Sequence, residues 1–309
     1  MRSMMKTTAL PGWLAAKKSL WMLAAAGTLV AAVAAAAAPE MEKQLLFGGA
    51  SAQGWSPAES TLEISAAHVK VNEAALHWHV TVDYYGGEKN YPIGWPRFGR
   101  TLPAGAQRDW SAWDFLHMWI FTTASRPTLP KDPLGLGLHT PDKSSAYNTI
   151  LSQIKLDEWV EVVIPIAKIQ YPGDVRNIQF HISEANYRHA DQLDLWIDDL
   201  ALLRYARPVV LDLAAENAVL FADAKIVAAR FELAGVKPNE TVPVTCELRR
   251  AGQVVACATA QATRGAQRVA LGLEPGALAP GVFELTARAG DGQPATTTQV
   301  RVVESPWRK

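Results

Sequence analysis

The sequence predicts an all-β protein built from two consecutive β-sandwiches. Most of the chain after residue 40 consists of short segments in which apolar and polar residues alternate, separated by loops rich in glycine and proline. No amphipathic helix of useful length interrupts them. Eight of the eleven tryptophans and all seven histidines lie between residues 55 and 196. This uneven distribution places a domain boundary near Arg207-Pro208.

Residues 1–38 have the features of an export signal. A basic lead precedes an apolar, alanine-rich run from Leu20 to Ala38 that ends in small residues. We expect cleavage near Ala37 and an exported protein, located in the periplasm, at the cell surface or outside the cell. The alternative is an uncleaved anchor, because the run is about as long as the shortest membrane-spanning helices. Membrane contact is then expected through this segment alone.

The charge balance excludes one class of partner. Lysine plus arginine and aspartate plus glutamate number 30 each, so the formal net charge is zero at pH 7. A protein without a net positive field does not attract nucleic acid or an anionic surface over a distance. We therefore expect no nucleic-acid partner.

The first predicted domain, residues 41–206, carries clear strand patterns and is expected to form a jelly-roll sandwich. The strand patterns are Leu62–Ala66, Ala75–Asp83, Phe115–Thr123, Leu134–His139, Trp159–Ile166, Ile178–Ser183 and Leu193–Tyr205. Short strands at this spacing are typical of sandwiches and barrels. An insert from Tyr84 to Trp110 shows no such pattern, and long loops often carry function.

The second predicted domain, residues 208–303, is poorer in aromatic residues and is expected to form an immunoglobulin-like sandwich. Its best-defined segment is VPVTCELRRAGQVVACATA, residues 242–260. If Ala251-Gly252 forms a two-residue turn, Cys246 lies opposite Cys257 and both face inward. The two cysteines could then form a disulfide in an oxidising compartment, although this ladder position allows the bond only with some strain. Two buried free thiols are the alternative.

Strand alternation divides the side chains of the first domain into an apolar core set and an outward set. The outward set is rich in histidine, aromatic residues and glycine: His77, His79, Asp83, His117, Trp119, Phe121, Gly135, Gly137, His139, Gln179, His181 and Ser183. We expect outward side chains from separate strands to lie side by side on a single exposed sheet surface.

Three interpretations of this surface compete. The first is an ordinary solvated face. The second is a sugar-binding face, where aromatic rings stack on pyranose rings, polar side chains bind hydroxyl groups, and glycines leave room for a chain. The third is a transition-metal site that includes His77 and His79, because imidazole suits zinc or copper.

Catalytic patterns are weak in this sequence. It contains no G-x-S-x-G, no H-E-x-x-H, no glycine-rich phosphate loop and no recognisable cysteine nucleophile. The adjacent acids Asp157/Glu158 and Asp198/Asp199 would point to opposite faces of a strand, so neither pair can flank one glycosidic bond. Glu184 is a candidate lone acid, and the sequence identifies no second acid for it.

The stretch LDLWIDDLALLRY, residues 193–205, places two adjacent carboxylates inside a buried strand pattern. Alternation puts Asp199 on the face of Leu195 and Ile197, toward the core, unless a bulge intervenes at the aspartate pair. A buried ionised carboxylate requires a partner. That partner is either a metal ion or a set of backbone N–H groups from a crossing loop.

Five stretches, taken in order, resemble the jelly-roll, galactose-binding-like modules of secreted bacterial carbohydrate-active proteins. They are LLFGG…QGW (45–49, 53–55), RDWSAWDFLHMWIF (108–121), EWVEVVIPI (158–166), VRNIQFHISEANY (175–187) and LDLWIDDLALLRY (193–205). The resemblance implies a jelly roll over residues 44–205 and contact with polysaccharide. Such modules usually accompany a catalytic domain, and none follows in this sequence.

The resemblance also implies a structural Ca²⁺ at the edge of the sandwich. Asp199 would be a ligand, or Asp198 if the strand bulges, because calcium binds six to eight oxygen atoms. The sequence departs from the family pattern at Phe47-Gly48-Gly49, where related modules tend to carry an acid.

These observations favour an exported, non-catalytic glycan-binding protein. We expect Trp119 to act as a stacking plate, with His117, His181 and Gln179 as polar contacts. Trp95 and Tyr147 are expected at the rim. Two alternatives stay open. One is a glycoside hydrolase or polysaccharide lyase that acts through histidine and tyrosine side chains, and the other is a structural envelope or adhesion protein whose tryptophans only pack.

Overall fold

The computed structural model describes residues 39–49, 51–86, 94–141 and 143–307. The predicted export signal, residues 1–38, lies outside these ranges. Among the described residues there is no α-helix, and short 3-10 turns occur at Ile166–Lys168, Pro172–Asp174 and Glu184–Asn186. Within the same ranges, no helix has the length and hydropathy needed to cross a membrane. The predicted all-β class is confirmed.

The strands of the first half are β1 (Met41–Phe47), β2 (Trp55–Ala58), β3 (Thr61–Ser65), β4 (Ala75–Thr81), β5 (Arg97–Thr101), β6 (Phe115–Ala124), β7 (Gly135–Thr140), β8 (Lys143–Ile150), β9 (Val160–Pro165), β10 (Asn177–His181) and β11 (Gln192–Tyr205). They form two antiparallel sheets. Sheet A has the order β3-β4-β11-β6-β9, with β1 paired to the second half of β11. Sheet B has the order β2-β5-β10-β7-β8.

The strands of the second half are β12 (Val209–Ala215), β13 (Val219–Phe221), β14 (Ile226–Ala234), β15 (Val242–Arg250), β16 (Gln253–Ala262), β17 (Gly265–Gly272), β18 (Gly281–Ala289) and β19 (Thr296–Val303). Sheet C has the order β12-β14-β17, and sheet D has the order β13-β19-β18-β15-β16. One hydrophobic core draws on residues 46–202 and a separate one on residues 210–302. The predicted domain bounds, the jelly roll and the immunoglobulin-like topology stay predictions.

The first core fills the space between sheets A and B. Its members include every residue that alternation assigned to the inward face of its strand, and each is at most 1 % exposed: Leu76, Trp78, Val80, Val82, Leu116, Met118, Ile120, Leu134, Leu136, Leu138, Ile178, Phe180 and Ile182. Apolar side chains at alternate positions give each sheet one hydrophobic face, and burying the two faces against each other stabilises the fold. The outward set of each strand therefore points away from this core.

A β-bulge in β11 resolves the position of the aspartate pair. Asp198 lies opposite Trp119 of β6, and the next paired residue, Ala201, lies opposite His117, so one extra residue is inserted between them. Asp199 has a left-handed backbone with φ of 53°. The extra residue resets the alternation, so Leu200 returns to the core while neither carboxylate has to enter it.

The predicted pairing of the cysteines is wrong. Ala251 and Gly252 form the expected turn, with φ values of 47° and 81°, and Arg250 lies opposite Gln253. A bulge on β16 then shifts the register, so Cys257 lies opposite Glu247 rather than Cys246. Because a shift of one residue moves a side chain to the other face, Cys246 is buried, Cys257 is exposed and both are free thiols.

The first half and the second half of the described chain meet at Asp114. This carboxylate is 6 % exposed and accepts hydrogen bonds from the backbone N–H groups of Tyr205 (2.9 Å) and Gly235 (3.1 Å). Arg264, in the β16–β17 connection, forms an ion pair with it at 2.7 Å. Arg264 also donates to the carbonyl oxygen of Trp113. One buried carboxylate thus contacts strands or loops of both halves.

Candidate functional site

The predicted binding residues lie on two different surfaces. Trp119 and His117 belong to β6 in sheet A, whereas Gln179 and His181 belong to β10 in sheet B. The two sheets pack against each other through their inner faces, so their outer faces point in opposite directions. The expectation of one shared surface is therefore wrong. Alternation shows which residues face outward, but it does not show to which sheet a strand belongs.

The outer face of sheet A is partly covered by the β3–β4 connection. The ammonium group of Lys70 lies 4.5 Å from the centre of the Trp119 ring. His68, from the same connection, stacks on Phe121 at 4.3 Å and packs edge-on against Trp196. A Trp119 ring that already carries a cation on one face is poorly placed as a stacking plate for a sugar.

His117 is also engaged by the protein itself. Its Nε2 atom lies 3.0 Å from Glu161, and its Nδ1 atom lies 3.3 Å from the backbone oxygen of Asp199. Its ring is 5 % exposed. His117 is therefore a buried structural contact of sheet A, and its predicted role as a ligand contact receives no support from this geometry.

A second group of histidines on sheet A forms hydrogen bonds with acids. His77 lies between Glu63 (3.0 Å) and Asp194 (2.7 Å), while His79 contacts Asp194 at 2.8 Å and Thr81 at 3.2 Å. The described residues contain no group of three or more His, Cys, Asp or Glu side chains that could hold a metal ion. The metal interpretation of His77 and His79 therefore gains no support.

The partner of Asp198 is a loop of the protein. Its Oδ2 atom accepts hydrogen bonds from the N–H groups of Lys70 (2.8 Å), Val71 (2.7 Å) and Asn72 (3.2 Å), and its Oδ1 atom accepts one from the Asn72 side chain at 2.5 Å. Burial alone would raise the pKa of Asp198. The hydrogen bonds from Val71, Lys70 and Asn72 outweigh burial, so the pKa lies below its ordinary value of 3.8.

Asp199 has partners of its own. Lys43 forms an ion pair with it, and His117 lies 3.5 Å from its Oδ2 atom. The donors around Asp198 and Asp199 occupy positions where a cation would have to bind, so these residues do not fit a calcium site in the observed arrangement. Calcium binding by Asp198 or Asp199 stays a prediction without support from the contacts described.

The outer face of sheet B forms an open groove of about 860 Å³. Its lining residues are Gly54, Ser56, Pro57, Ala58, Arg97, Phe98, Gly99, Thr101, His139, Asn177 and Gln179. They come from β2, β5, β10 and β7, which are neighbours in the sheet. The groove therefore crosses the strands rather than following one of them.

Polar side chains alternate with glycines in one row across the outer face of sheet B, and part of this row lines the groove. Strand pairing places Ser56 opposite Gly99, Gly99 opposite Gln179, Gln179 opposite Gly137, and Gly137 opposite Asn148. Residues paired in this way lie on the same face of the sheet. The row consists of three side chains with hydrogen-bonding groups, each separated from the next by a residue that has no side chain.

Two glycines are required by close contacts. A Cβ atom on Gly99 would lie 2.7 Å from the carbonyl oxygen of Ile178, and a Cβ atom on Gly135 would collide with the His181 ring. The ring of His181 therefore lies directly over Gly135. Gly137 is different, because a Cβ atom there would meet only ordinary contacts, the nearest at 3.4 Å from His139.

The two histidines of the groove differ in their contacts. His139 Nε2 lies 3.2 Å from Gln179 Oε1, which orients the amide group of Gln179. His181 Nδ1 is buried and has no hydrogen-bond partner among the described residues. Burial, and to a smaller extent the nearby His139, lower the pKa of His181 below 6.5. The surroundings of His181 therefore favour its uncharged form.

Trp95 lies at one end of the groove beside Arg97 and His181. Its side chain is 44 % exposed, the guanidinium of Arg97 lies 5.1 Å from its ring centre, and the His181 ring meets it edge-on at 5.4 Å. Trp95 therefore lies next to Arg97, which lines the groove, and its role as a ligand contact stays a prediction.

Tyr147 does not lie on this surface. It pairs with Leu138, an inward residue of β7, and packs against the first hydrophobic core. The prediction that its side chain reaches the rim is wrong, because Tyr147 falls on the inward face of β8. Asn148, its neighbour, lies opposite Gly137 on the outer face of sheet B instead.

Sequence reasoning missed the residues that β5 contributes. Arg97, Gly99 and Thr101 fall inside the segment interpreted as an insert from residue 84 to 110. The alternation RFGRT is short, and only Phe98 among its five residues is large and apolar, so no strand pattern was visible. The glycines of β7 and the outward parity of Gln179 were signals that the sequence did provide.

Comparisons with known proteins give only distant similarities. No family model and no curated protein matches the sequence. A solved structure described as "CBM4 structure and function" is 16 % identical over 49 % of this chain and 94 % of its own length, with a TM-score of 0.29. At such values the similarity supports no argument about this chain.

Two enzymes are similar at the same low level. A glycosyl hydrolase family 2 member from Bacteroides cellulosilyticus is 9 % identical over 84 % of this chain, with a TM-score of 0.28. A β-glucuronidase from Ruminococcus gnavus is 12 % identical over 72 %, with a TM-score of 0.25. This chain spans only 35 % and 38 % of their lengths.

Proposed function

We propose that this protein binds a polysaccharide chain in the groove of sheet B and performs no chemistry on it. The observation that carries this proposal is the row Ser56–Gly99–Gln179–Gly137–Asn148. Hydroxyl and amide groups that stand apart over a glycine floor can donate to and accept from sugar hydroxyls. A single chain of sugars can lie in the space left by the glycines.

The length of the row favours a chain over a single sugar. Five adjacent strands are separated by four inter-strand spacings, which makes the row about 19 Å long. Trp95 supplies an exposed apolar ring at one end, and a ring of this kind can stack against the C–H face of a pyranose. Ligand sites that combine an apolar plate with a few placed polar groups are common in proteins.

The charges of the groove favour an uncharged glycan. Among the described residues that line it there is no aspartate or glutamate, and the one permanent cation among them, Arg97, lies 3.9 Å from the carboxylate of Glu59. Burial lowers the pKa of His181 and thereby favours its uncharged form. Neither a strongly acidic nor a strongly basic ligand would find an opposite charge of its own in this groove.

Export of this protein belongs to the same proposal. Its basis is the basic and alanine-rich segment of residues 1–38, which lies outside the described residues. A polysaccharide-binding protein meets its ligand outside the cytoplasm, in the periplasm, at the cell surface or beyond it. The proposed partner is therefore a glycan, with no nucleic-acid partner.

A glycan array followed by calorimetry tests the proposal. The array identifies a ligand, and titration calorimetry then compares the unaltered protein with Gln179→Ala. The matched control is Gln192→Ala, an exposed glutamine of sheet A on the opposite side of the sandwich. We expect Gln179→Ala to weaken binding about tenfold, the effect of losing about 1.4 kcal/mol of hydrogen bonding, and Gln192→Ala to leave it unchanged. Equal affinities for both variants would refute the groove as the site.

A further inference from the structure

Two carboxylates converge beneath Gly94 at the end of the groove. Glu59 lies in the turn between β2 and β3, and Glu184 lies in the 3-10 turn after β10. A Cβ atom on Gly94 would lie 2.7 Å from Glu59 Oε2 and 2.6 Å from Glu184 Oε2. Both oxygens are therefore close to the same point. The sequence identifies no second acid for Glu184, whereas the structure places Glu59 next to it.

Each carboxylate holds the main chain next to the groove. Glu59 Oε2 accepts a hydrogen bond from the N–H group of Trp95 at 2.6 Å, and Glu184 Oε1 accepts one from the N–H group of Asp83 at 2.9 Å. Arg97 donates to the carbonyl oxygen of Trp95 at 3.1 Å. The backbone of Trp95 is therefore fixed on both sides by charged side chains.

Glu184 is unusual because it is buried and incompletely satisfied. It is 2 % exposed, and its Oε2 atom makes no hydrogen bond of ordinary geometry with any described residue. Burial raises the pKa of Glu184 above 4.5. The backbone N–H groups of Asp83 and Gly94 oppose that shift, while the negative charges of Glu59 and Asp83 reinforce it.

We propose that Glu59 and Glu184 are positioning residues that bind one proton between them and, in that state, hold Trp95 in place at the end of the groove. This inference rests on the proposed function, because it assigns a pH-dependent control to the same site. The proton would be carried by Glu184 Oε2, the atom that lacks a donor, and would face Glu59.

The direction of the pH dependence follows from the charges that surround the pair. With one proton bound, the pair carries a single negative charge, which Arg97 faces at 3.9 Å from Glu59. Below the ordinary glutamate pKa of 4.5, the stabilising effect of the protonated pair on the position of Trp95 is complete. It is lost as the pH rises through the raised pKa of Glu184, because a second negative charge then appears beside Glu59 and Asp83. We expect glycan affinity to fall over that interval.

Two histidines, His181 and His189, are further titratable groups close to Trp95 or to Asp83. His181 meets the edge of the Trp95 ring at 5.4 Å, and its lowered pKa reflects burial and His139. His189 lies 3.8 Å from Asp83. His181 is the group whose titration has to be separated from that of the carboxylate pair.

The pair is not arranged for glycoside hydrolysis. A retaining glycosidase places the sugar between its two carboxyl groups. Here Glu184 is 2 % exposed, and the Cβ position of Gly94 lies 2.6 Å from its Oε2 atom, so the carboxyl group of Glu184 is covered by the protein. A sugar cannot reach both acids, so positioning is the role that the geometry permits.

The test follows Trp95 directly, without any ligand. The chain is labelled with 5-fluorotryptophan, and the ¹⁹F resonance of Trp95 is assigned by its disappearance in Trp95→Phe. We expect this resonance to shift with pH in the unaltered protein. In Glu184→Gln, which keeps the shape without the charge, it should stay at the acidic position at every pH. Glu158→Gln, an exposed acid paired with Lys155, is the matched control and should titrate like the unaltered protein.

His181→Gln separates the two sources of titration. The pH-dependent shift of Trp95 should persist in this variant if it reports the carboxylate pair. A shift that disappears in His181→Gln and persists in Glu184→Gln would overturn the inference, as would a resonance that does not move with pH in the unaltered protein.

Calorimetry at acidic and at neutral pH then connects the pair to binding. We expect affinity to fall by about tenfold for each unit by which the pKa of Glu184 differs between the bound and free protein, and Glu184→Gln to remove this dependence. If no glycan binds at any pH, the proposed function fails while the ¹⁹F titration still decides the inference. If glycan binds equally at both pH values, the groove stands and the control by the carboxylate pair is refuted.

Discussion

At the residue scale, Asp198 shows how backbone N–H groups accommodate a buried carboxylate. Its carboxylate is 0 % exposed and accepts hydrogen bonds from three consecutive backbone N–H groups, residues 70–72. It also accepts hydrogen bonds from the Asn72 side chain and from the N–H group of Asp199 at 2.7 Å. The carboxylate thereby fastens the β3–β4 connection onto the outer face of sheet A.

Asp198→Ala should therefore destabilise the protein strongly. Removing the carboxylate leaves the partly buried N–H groups of Lys70, Val71 and Asn72 without this acceptor, and at about 1 kcal/mol for each hydrogen bond we expect a loss of about 3 kcal/mol in the free energy of unfolding. Urea denaturation followed by circular dichroism measures it. The control is Glu73→Ala, an exposed acid in the same connection, which should change stability by less than about 0.5 kcal/mol.

The same carboxylate should make stability depend on acid. The pKa of Asp198 is lowered in the folded protein, so its contribution is present above the unfolded value of 3.8 and is lost as the pH falls through the lower, folded value. Urea denaturation over this acidic range should show a smaller loss of stability in Asp198→Asn than in the unaltered protein. Parallel losses in both proteins would contradict this account of Asp198.

At the element scale, the alternation of apolar and polar residues predicts which side chains are buried, but it does not predict how the strands pair. The apolar residues that the sequence assigned to the inward faces of β4, β6, β7 and β10 are all buried, because a buried strand face requires apolar side chains. The bulges are not evident from the sequence, because an extra residue changes the pairing without a clear signal in composition. In β11 the bulge was foreseen as a possibility, since a carboxylate otherwise had to enter the core.

The β15–β16 hairpin leads to a direct prediction about thiols. Purified without reductant, the protein should contain two free thiols, with Cys257 reacting rapidly with Ellman's reagent because it is exposed. Burial, and to a smaller extent the nearby Cys257, raise the pKa of Cys246 to about 11, so this thiol should react only after unfolding. Cys257→Ser should remove the rapid phase. Absence of both thiols in denaturant would show that the cysteines pair after all.

The candidate site is only partly predictable, because the sequence shows which residues face outward but not which sheet they belong to. Gln179, His181 and Trp95 have residue types and positions that indicate a polar surface with an aromatic rim, and they do lie together. Trp119 and His117 have the same pattern on a different sheet. Strand order is set by long-range pairing, which residue periodicity in a single sequence does not encode.

At the scale of the whole molecule, Asp114 and Arg264 connect the two halves. The ion pair at 2.7 Å joins the start of β6 to the β16–β17 connection, and Gly235 adds a backbone hydrogen bond to the same carboxylate. Contacts group residues 39–309 into one compact unit, although they contain two separate hydrophobic cores. We therefore expect the two cores to unfold cooperatively.

Arg264→Leu should make the unfolding of the two hydrophobic cores less cooperative. The variant leaves the buried carboxylate of Asp114 with only two backbone donors, and we expect a loss of about 2 kcal/mol. Differential scanning calorimetry should show one transition in the unaltered protein and two separated transitions in the variant. Arg268→Leu, which removes an exposed arginine of β17 that pairs with Glu216, is the control and should keep a single transition. A single transition in Arg264→Leu, as in Arg268→Leu, would contradict the coupling of the two cores through Arg264.

The central claim, that polysaccharide binds in the groove of sheet B, is tested most directly by blocking one face at a time. Gly137→Leu places a side chain between Gln179 and Asn148 in the polar row, and a Cβ atom there meets no closer contact than 3.4 Å. Trp119→Ala alters the opposite face. In affinity electrophoresis with the bound glycan, the account predicts that Gly137→Leu abolishes retention and that Trp119→Ala leaves it intact. Retention that survives Gly137→Leu and is lost in Trp119→Ala would place the ligand on sheet A and contradict the account.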